Sequence, residues 1–199
     1  MKILVTIFTV LLLSGCVGVQ PPMNEYKLNS HMPSSKSKTQ KVFEDKSLKV
    51  AEAFSSNTLM SLDMNYVQGE NKQFAFSQAK WATTPNQAIT AKLLELLRDA
   101  NLFKNIQVSK SRSKNDLILE TNIEDFMQYF SEDFKESYSS VVLTLTLIDS
   151  NKNSVIATKT FRSKVNAKSL DVEGGVVALD AALYEVLSQI NEWFAQVNR

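Results

Sequence analysis

The first sixteen residues decide where folding can begin in this chain. Lys2 is followed by a mostly apolar run from Ile3 to Leu13, which closes on Ser14, Gly15 and Cys16. A membrane-spanning helix needs about 20 apolar residues, and this run gives way to Gln20, Pro21 and Pro22 well before that. One cation, a short apolar stretch and small residues at its end make the layout of a secretory signal. The folded body therefore starts further on, in an exported chain. Cys16 is the only cysteine, so that body has no disulfide available and must be held together by core packing.

An aliphatic residue followed by Ser, Gly and Cys resembles the lipobox of bacterial lipoproteins. The resemblance implies that Cys16 receives a diacylglyceryl group on sulfur and becomes the acylated first residue of the mature chain. That lipid, palmitate among its chains, is then the only non-protein group; no cofactor and no metal is expected. Stable anchoring takes two chains or more, each buried methylene contributing about 0.8 kcal/mol. Val17, not Asp, follows the cysteine. By the sorting rule of enteric lipoproteins this places the protein on the periplasmic face of the outer membrane rather than the inner one.

The chain carries 22 Lys+Arg against 21 Asp+Glu, and Lys2 leaves with the signal, so the mature protein is close to neutral. No field of one sign points to nucleic acid as a partner. Residues 17–46 are poor in large apolar side chains, and the stretch 33–41 cannot bury enough surface to offset its ordering. This segment reads as a flexible tether of about 30 residues, spanning about 30 Å as a random coil. His31, the only histidine, falls there and reads as a solvated linker residue rather than a metal ligand or base. The expected organisation is a signal peptide over 1–15, an acylated Cys16 with linker over 16–46, and one folded domain over 47–199.

Within the domain, residues 48–53 read as a first strand. Leu62, Met64 and Tyr66 alternate with polar neighbours into a turn at Gly69, Glu70 and Asn71, and Phe74 and Phe76 continue the period. Thr84, Pro85 and Gln87 form a capping box with a compatible proline. Ile89, Leu93, Leu96, Leu97 and Ala100 then make one helical stripe ending at Asn101. Residues 106–108 form a short strand. Leu117, Leu119, Thr121 and Ile123 share a strand face whose phase slips before Phe126, which predicts a β-bulge near Asp125. Leu143, Leu145 and Leu147 are answered by Val155, Ala157 and Phe161 across a polar turn, a long antiparallel hairpin. Gly174 and Gly175 read as a flexible entry to a closing helix that carries Val176, Leu179, Leu183, Val186, Leu187, Ile190, Trp193 and Phe194. The expected fold is α+β: a mainly antiparallel, mixed sheet carrying two amphipathic helices, preceded by the disordered tether.

Trp81 and Ala82 followed by Pro85 and a helix, then Leu102 and Phe103, the strand at 106–108, the run Ile123, Glu124, Asp125, Phe126, the strand over 141–149, Phe161 and a closing helix with Trp193 resemble the ABC-type transport auxiliary lipoprotein family, over residues 48–194. The long polar tether and the aromatic, acidic segment 129–138 depart from that pattern. The resemblance implies a non-catalytic periplasmic component. Its expected partners are a membrane, reached through the lipid, and an MCE-type substrate-binding protein of a permease and ATPase that move lipids between inner and outer membranes. Self-association into a homo-oligomer stays open.

No nucleophile elbow, metal-spaced His/Glu pair or phosphate-binding loop accompanies these elements, so an enzyme is not expected. Glu124 with Asp125 and Glu132 with Asp133 are the conceivable carboxylate pairs. Neighbours on a strand point apart, and a solvated loop accounts for the second pair. Phe126, Tyr129, Phe130, Phe134 and Tyr138 gather in a segment too polar to be all core. Part of that cluster, Phe126, Tyr129, Phe130 and Phe134, is the candidate surface for docking a partner or lipid; the competing reading is that these aromatic residues cap the sheet edge. The alternative function is a structural or regulatory outer-membrane lipoprotein that activates a cell-wall synthase.

Overall fold

The computed structural model describes residues 22–29 and 43–197. In chain order its strands are β1 (Asn24–Tyr26), β2 (Phe43–Val50), β3 (Phe54–Ser55), β4 (Asp63–Gln68), β5 (Lys72–Trp81), β6 (Phe103–Val108), β7 (Leu117–Phe130), β8 (Ser137–Asp149) and β9 (Ser154–Asn166). Helix α1 (Pro85–Ala100) separates β5 from β6, and α2 (Val172–Phe194) closes the chain. The fold is α+β, with all nine strands in one mixed sheet.

Strict alternation builds the centre of that sheet. Leu117, Leu119 and Ile123 on β7, and Val141, Leu143, Leu145 and Leu147 on β8, are buried on the helix-covered face. β7 pairs antiparallel with β8 from Leu117 opposite Asp149 to Phe130 opposite Ser137. β9 extends the hairpin as an antiparallel edge strand. The register shifts between Ile123 and Asp125, where the slip in apolar phase called for a bulge. The other edge of β7 takes three short strands in succession, all parallel: β2 at Leu117–Leu119, β3 at Asn122–Ile123 and β4 at Gln128–Phe130. The sheet therefore forks at β7. One arm continues through β2 to β6, the other through β4 and β5 to β1.

α1 starts after Thr84 and stops at Asn101 in the left-handed conformation (φ 50°), with Ile89, Leu93, Leu96 and Leu97 buried. The capping box differs from expectation. The Thr84 side chain makes no capping hydrogen bond; its hydroxyl is buried without a partner. α2 packs on β8, β9 and β7 and is capped by Asp171, whose carboxylate accepts from the Gly174 N–H at 2.8 Å.

Gly174 and Gly175 are not a flexible entry. They lie inside the first turn of α2 and are buried. A Cβ on Gly174 would overlap Ser169, and one on Gly175 would overlap the Gln128 side chain of β7. Gly175 lets the helix start touch the sheet, and Gly174 lets it close on the preceding loop.

The linker reading over 16–46 also needs correction where residues are described. Asn24, Glu25 and Tyr26 pair in parallel with Ala79, Lys80 and Trp81. Glu25 bridges Lys80 at 3.0 Å, and the Ala82 N–H donates to the Tyr26 carbonyl at 2.7 Å. Tyr26 and Leu28 pack against the core, and the Asn29 N–H donates to the Asp180 carboxylate of α2. β2 begins at Phe43, five residues before Leu48, because Phe43 stacks on Phe103 with ring centroids 5.1 Å apart. The described part of the presumed tether is a strap fastened at several points.

Candidate functional site

The most distinctive surface lies where two hairpin tips meet. The β4–β5 turn and the β7–β8 loop are tied by the Gly69 N–H to the Phe130 carbonyl at 2.9 Å. The Gln68 amide donates to the Glu132 carbonyl, and Lys72 bridges the Glu132 carboxylate at 3.0 Å. Gly69 takes φ +64° in this approach, and a Cβ there would overlap Glu132. The turn therefore calls for glycine.

Aromatic rings from both hairpins collect on the helix-side face, past the start of α2. Tyr66 stacks on Phe74 at 5.5 Å and lies 4.5 Å from Phe76. It meets Phe130 edge-on at 5.3 Å, and Phe134 covers Phe130 at 5.4 Å. Tyr66 and Phe74 face one another because they are cross-strand partners, the arrangement in which aromatic pairs stabilise a hairpin. Phe130 is the floor, 4% exposed, while Phe74 and Phe134 are each 43% exposed. Phe134 adopts φ +53°, costly for a bulky residue. Its N–H is held by the Ser131 carbonyl at 3.0 Å, and the loop thereby sets its ring on this cluster.

The opposite face of the same hairpin is polar-aromatic. Tyr129 stacks on Tyr138 at 5.0 Å, and the Lys164 ammonium sits 3.4 Å from the Tyr138 ring centroid, a cation–π contact. The bulge changes the expected carboxylate geometry. Glu124 and Asp125 both engage hydroxyls of this face: Thr144 donates to Glu124 and Tyr129 donates to Asp125 at 3.0 Å. Burial pushes the Asp125 carboxyl above its ordinary value, against the opposing effect of its hydrogen bonds. Burial, then the Asp125 carboxylate, pushes the Tyr129 phenol well up. A raised folded pKa stabilises the fold at low pH and loses that contribution as pH rises through it. Asp125→Asn keeps an oxygen for Tyr129 and removes the buried charge. It is expected to raise Tm by about 1–3 °C at pH 7. The gain should vanish near pH 3.8, the ordinary carboxyl value, in thermal melts across that range.

Of the sequence-derived site residues, Cys16 and His31 lie outside the described residues. Phe126 is 2% exposed and packs on Trp81 at 5.8 Å. Phe126 and Phe130 are thus core rather than surface, because after the bulge both point under the helix-covered face. Tyr129 is half-buried on the other face. Phe134 alone of the four stands exposed in the aromatic cluster. Glu132 and Asp133 are solvent-facing and ion-paired with Lys72 and Lys135. Tyr66, Phe74 and Phe76 were missed. Their cross-strand pairing follows from the short turn at Gly69, but their meeting with Phe130 and Phe134 depends on the parallel β4–β7 register, which local pattern does not reveal.

Hollows of about 400, 490 and 230 Å³ open elsewhere on the surface, lined largely by polar and charged side chains such as Glu52, Glu120, Asn122, Lys104 and Asp116. Among the described residues, no three His, Cys, Asp or Glu side chains gather as metal ligands would. No helix among them is long and apolar enough to cross a membrane.

A crystal structure of a protein from Xanthomonas campestris is similar over 87% of this chain and 95% of its own, with a TM-score of 0.78 at 16% identity. A second, of an uncharacterized protein, is similar over 86% and 98%, with a TM-score of 0.65 at 12% identity. At such identities the likeness establishes the fold alone. No curated protein matches the sequence. The family model for the ABC-type transport auxiliary lipoprotein component matches residues 26–191, from β1 into the last turns of α2, and the chain belongs to that family.

Proposed function

We propose that this protein is a non-catalytic, lipid-anchored periplasmic component of an MCE-type ABC system that moves lipids between the inner and outer membranes. The family match over residues 26–191 carries this reading. The anchor is the lipid on Cys16, and Val17 assigns it to the outer membrane. The candidate surface for a partner or for lipid is the exposed part of the aromatic cluster, Phe134 together with Phe74, rather than Phe126 and Phe130.

Affinity purification of the full-length protein from mildly solubilised membranes tests the reading. An MCE-type substrate-binding protein is the expected co-purifying partner, enriched about tenfold over an unrelated lipoprotein bait, equivalent to about 1.4 kcal/mol of preference. Recovery of a peptidoglycan synthase in its place would overturn the transport role and favour cell-wall regulation.

A further inference from the structure

We propose that the tip formed by Tyr66, Phe74, Phe76 and Phe134 rests in the headgroup layer of the membrane that holds the Cys16 lipid, so that the domain stands tip-down on its own bilayer. This rests on the acylation of Cys16 and goes beyond it by fixing which end of the molecule meets lipid.

The argument starts from the direction of β1. Because β1 runs parallel to β5, with Asn24 beside Ala79 and Tyr26 beside Trp81, the chain followed backwards from Asn24 heads toward Lys72, where β5 begins. Lys72 adjoins the tip. Cys16 is eight residues before Asn24 and reaches at most about 27 Å. Gln68 is level with Lys72 and Asp63 with Lys80 across a register shift, so Ala79 lies about four residues of strand, roughly 13 Å, from the tip. The acylated residue can therefore clear the tip. At the opposite end lie the start of β7 and the β8–β9 turn. Tyr66 is level with Gln128 and Asp63 with Lys80, which puts Asn24 about nine residues of strand, roughly 30 Å, from Leu117. The segment would have to reverse to head there, and fully extended it still falls short. The anchor and the aromatic tip belong to the same side of the molecule.

The side chains fit that position. Phe and Tyr rings half-exposed on a rigid support suit the interfacial layer, where an apolar body meets a wet rim. Met23, 52% exposed, lies on the path toward the anchor. The charge at the tip names the kind of surface. Residues 69–72 and 131–136 hold Glu70, Glu132, Asp133 and Glu136 against Lys72 and Lys135, and both lysines are ion-paired. A net negative rim is repelled by anionic lipid, so the contact is with a zwitterionic surface.

The single cysteine makes the test clean. Full-length protein carrying Asn71→Cys or Lys135→Cys at the tip, or Lys152→Cys at the far turn, is labelled with an environment-sensitive thiol probe. It is then reconstituted into phosphatidylethanolamine and phosphatidylcholine vesicles containing brominated lipid. Quenching at Asn71→Cys and Lys135→Cys is expected to be about threefold stronger than at Lys152→Cys. It should fall when Phe74→Ser and Phe134→Ser are added, and when anionic lipid replaces part of the zwitterionic lipid. Melting of the labelled variants confirms that each is folded. Equal quenching at all three positions would overturn the orientation. So would tip probes shielded from lipid and aqueous quenchers alike, the signature of a second copy or another protein covering the patch. Labelling of the wild-type chain itself would reveal a bare Cys16, overturning the anchor first and the orientation with it.

Discussion

Cys16→Ser, expressed behind an ordinary cleavable signal, is expected to move the protein from the membrane pellet to the soluble periplasmic fraction and to abolish palmitate incorporation. Two acyl chains of ordinary length bury some thirty methylenes, on the order of 20 kcal/mol at about 0.8 kcal/mol each. No protein surface described above rivals that. Phe74 and Phe134 together expose roughly 170 Å² of ring, at most roughly 4 kcal/mol if wholly buried. That is enough to choose an orientation once the lipid is inserted and too little to hold the protein alone. Fractionation with an alkaline wash, alongside intact-mass measurement of the wild-type chain, checks the expectation. A Cys16→Ser protein that stays in the washed pellet would mean that something other than acylation retains it.

Gly175→Ala carries the largest expected effect on stability. The added methyl overlaps the Gln128 side chain, which is 3% exposed. The Gln128 amide donates to Ser137 Oγ at 2.9 Å and to the Asp171 carbonyl at 3.1 Å. From the other side, Ser139 Oγ donates to the Gly175 carbonyl at 2.9 Å. Gln128 can yield only by giving up its buried hydrogen bonds, or α2 by lifting off β7 and β8. Buried polar groups left unpaired cost about 1–3 kcal/mol each, while alanine returns about 1 kcal/mol of helix propensity. The net loss is expected at about 2–4 kcal/mol, a fall in Tm of roughly 6–12 °C for a domain of this size. Gln128→Ala in the same chain removes the clash, so the double variant should melt higher than additivity allows, by about 1 kcal/mol or more. Wild-type melting of Gly175→Ala would show that the helix start does not need its close contact with the sheet.

Elements whose cause is local were legible in the sequence. Pro85, the Ile89–Leu97 stripe and Asn101 marked α1. Alternation from Leu143 to Leu147 and back through Phe161 marked the β8–β9 hairpin, and the lost phase after Ile123 marked the bulge. What escaped reading depends on partners distant in sequence. The parallel seating of β2, β3 and β4 along one edge of β7 leaves no periodic trace. Asn24, Glu25 and Tyr26 form a strand too short and polar to signal itself, held by the backbone of β5 and by Asp180. Gly174 and Gly175 looked like freedom because the sequence lists the residue and not what presses against it. The candidate surface was half legible for the same reason: Phe134 stood out, whereas Phe74 joins it only through the β4–β7 register.

The shortness of β1 has a mechanical consequence. Tension between an inserted lipid and a partner gripping the body would enter at β1 and shear three residue pairs, reaching the Asn29–Asp180 contact only after they part. The thirteen-residue pairings of β7 and β8 would not yet feel the load. Once β1 lets go, the anchor would hang from the Asn29–Asp180 contact, five residues further on, with roughly 17 Å more reach. The mooring would lengthen by one step before the domain itself bore any load.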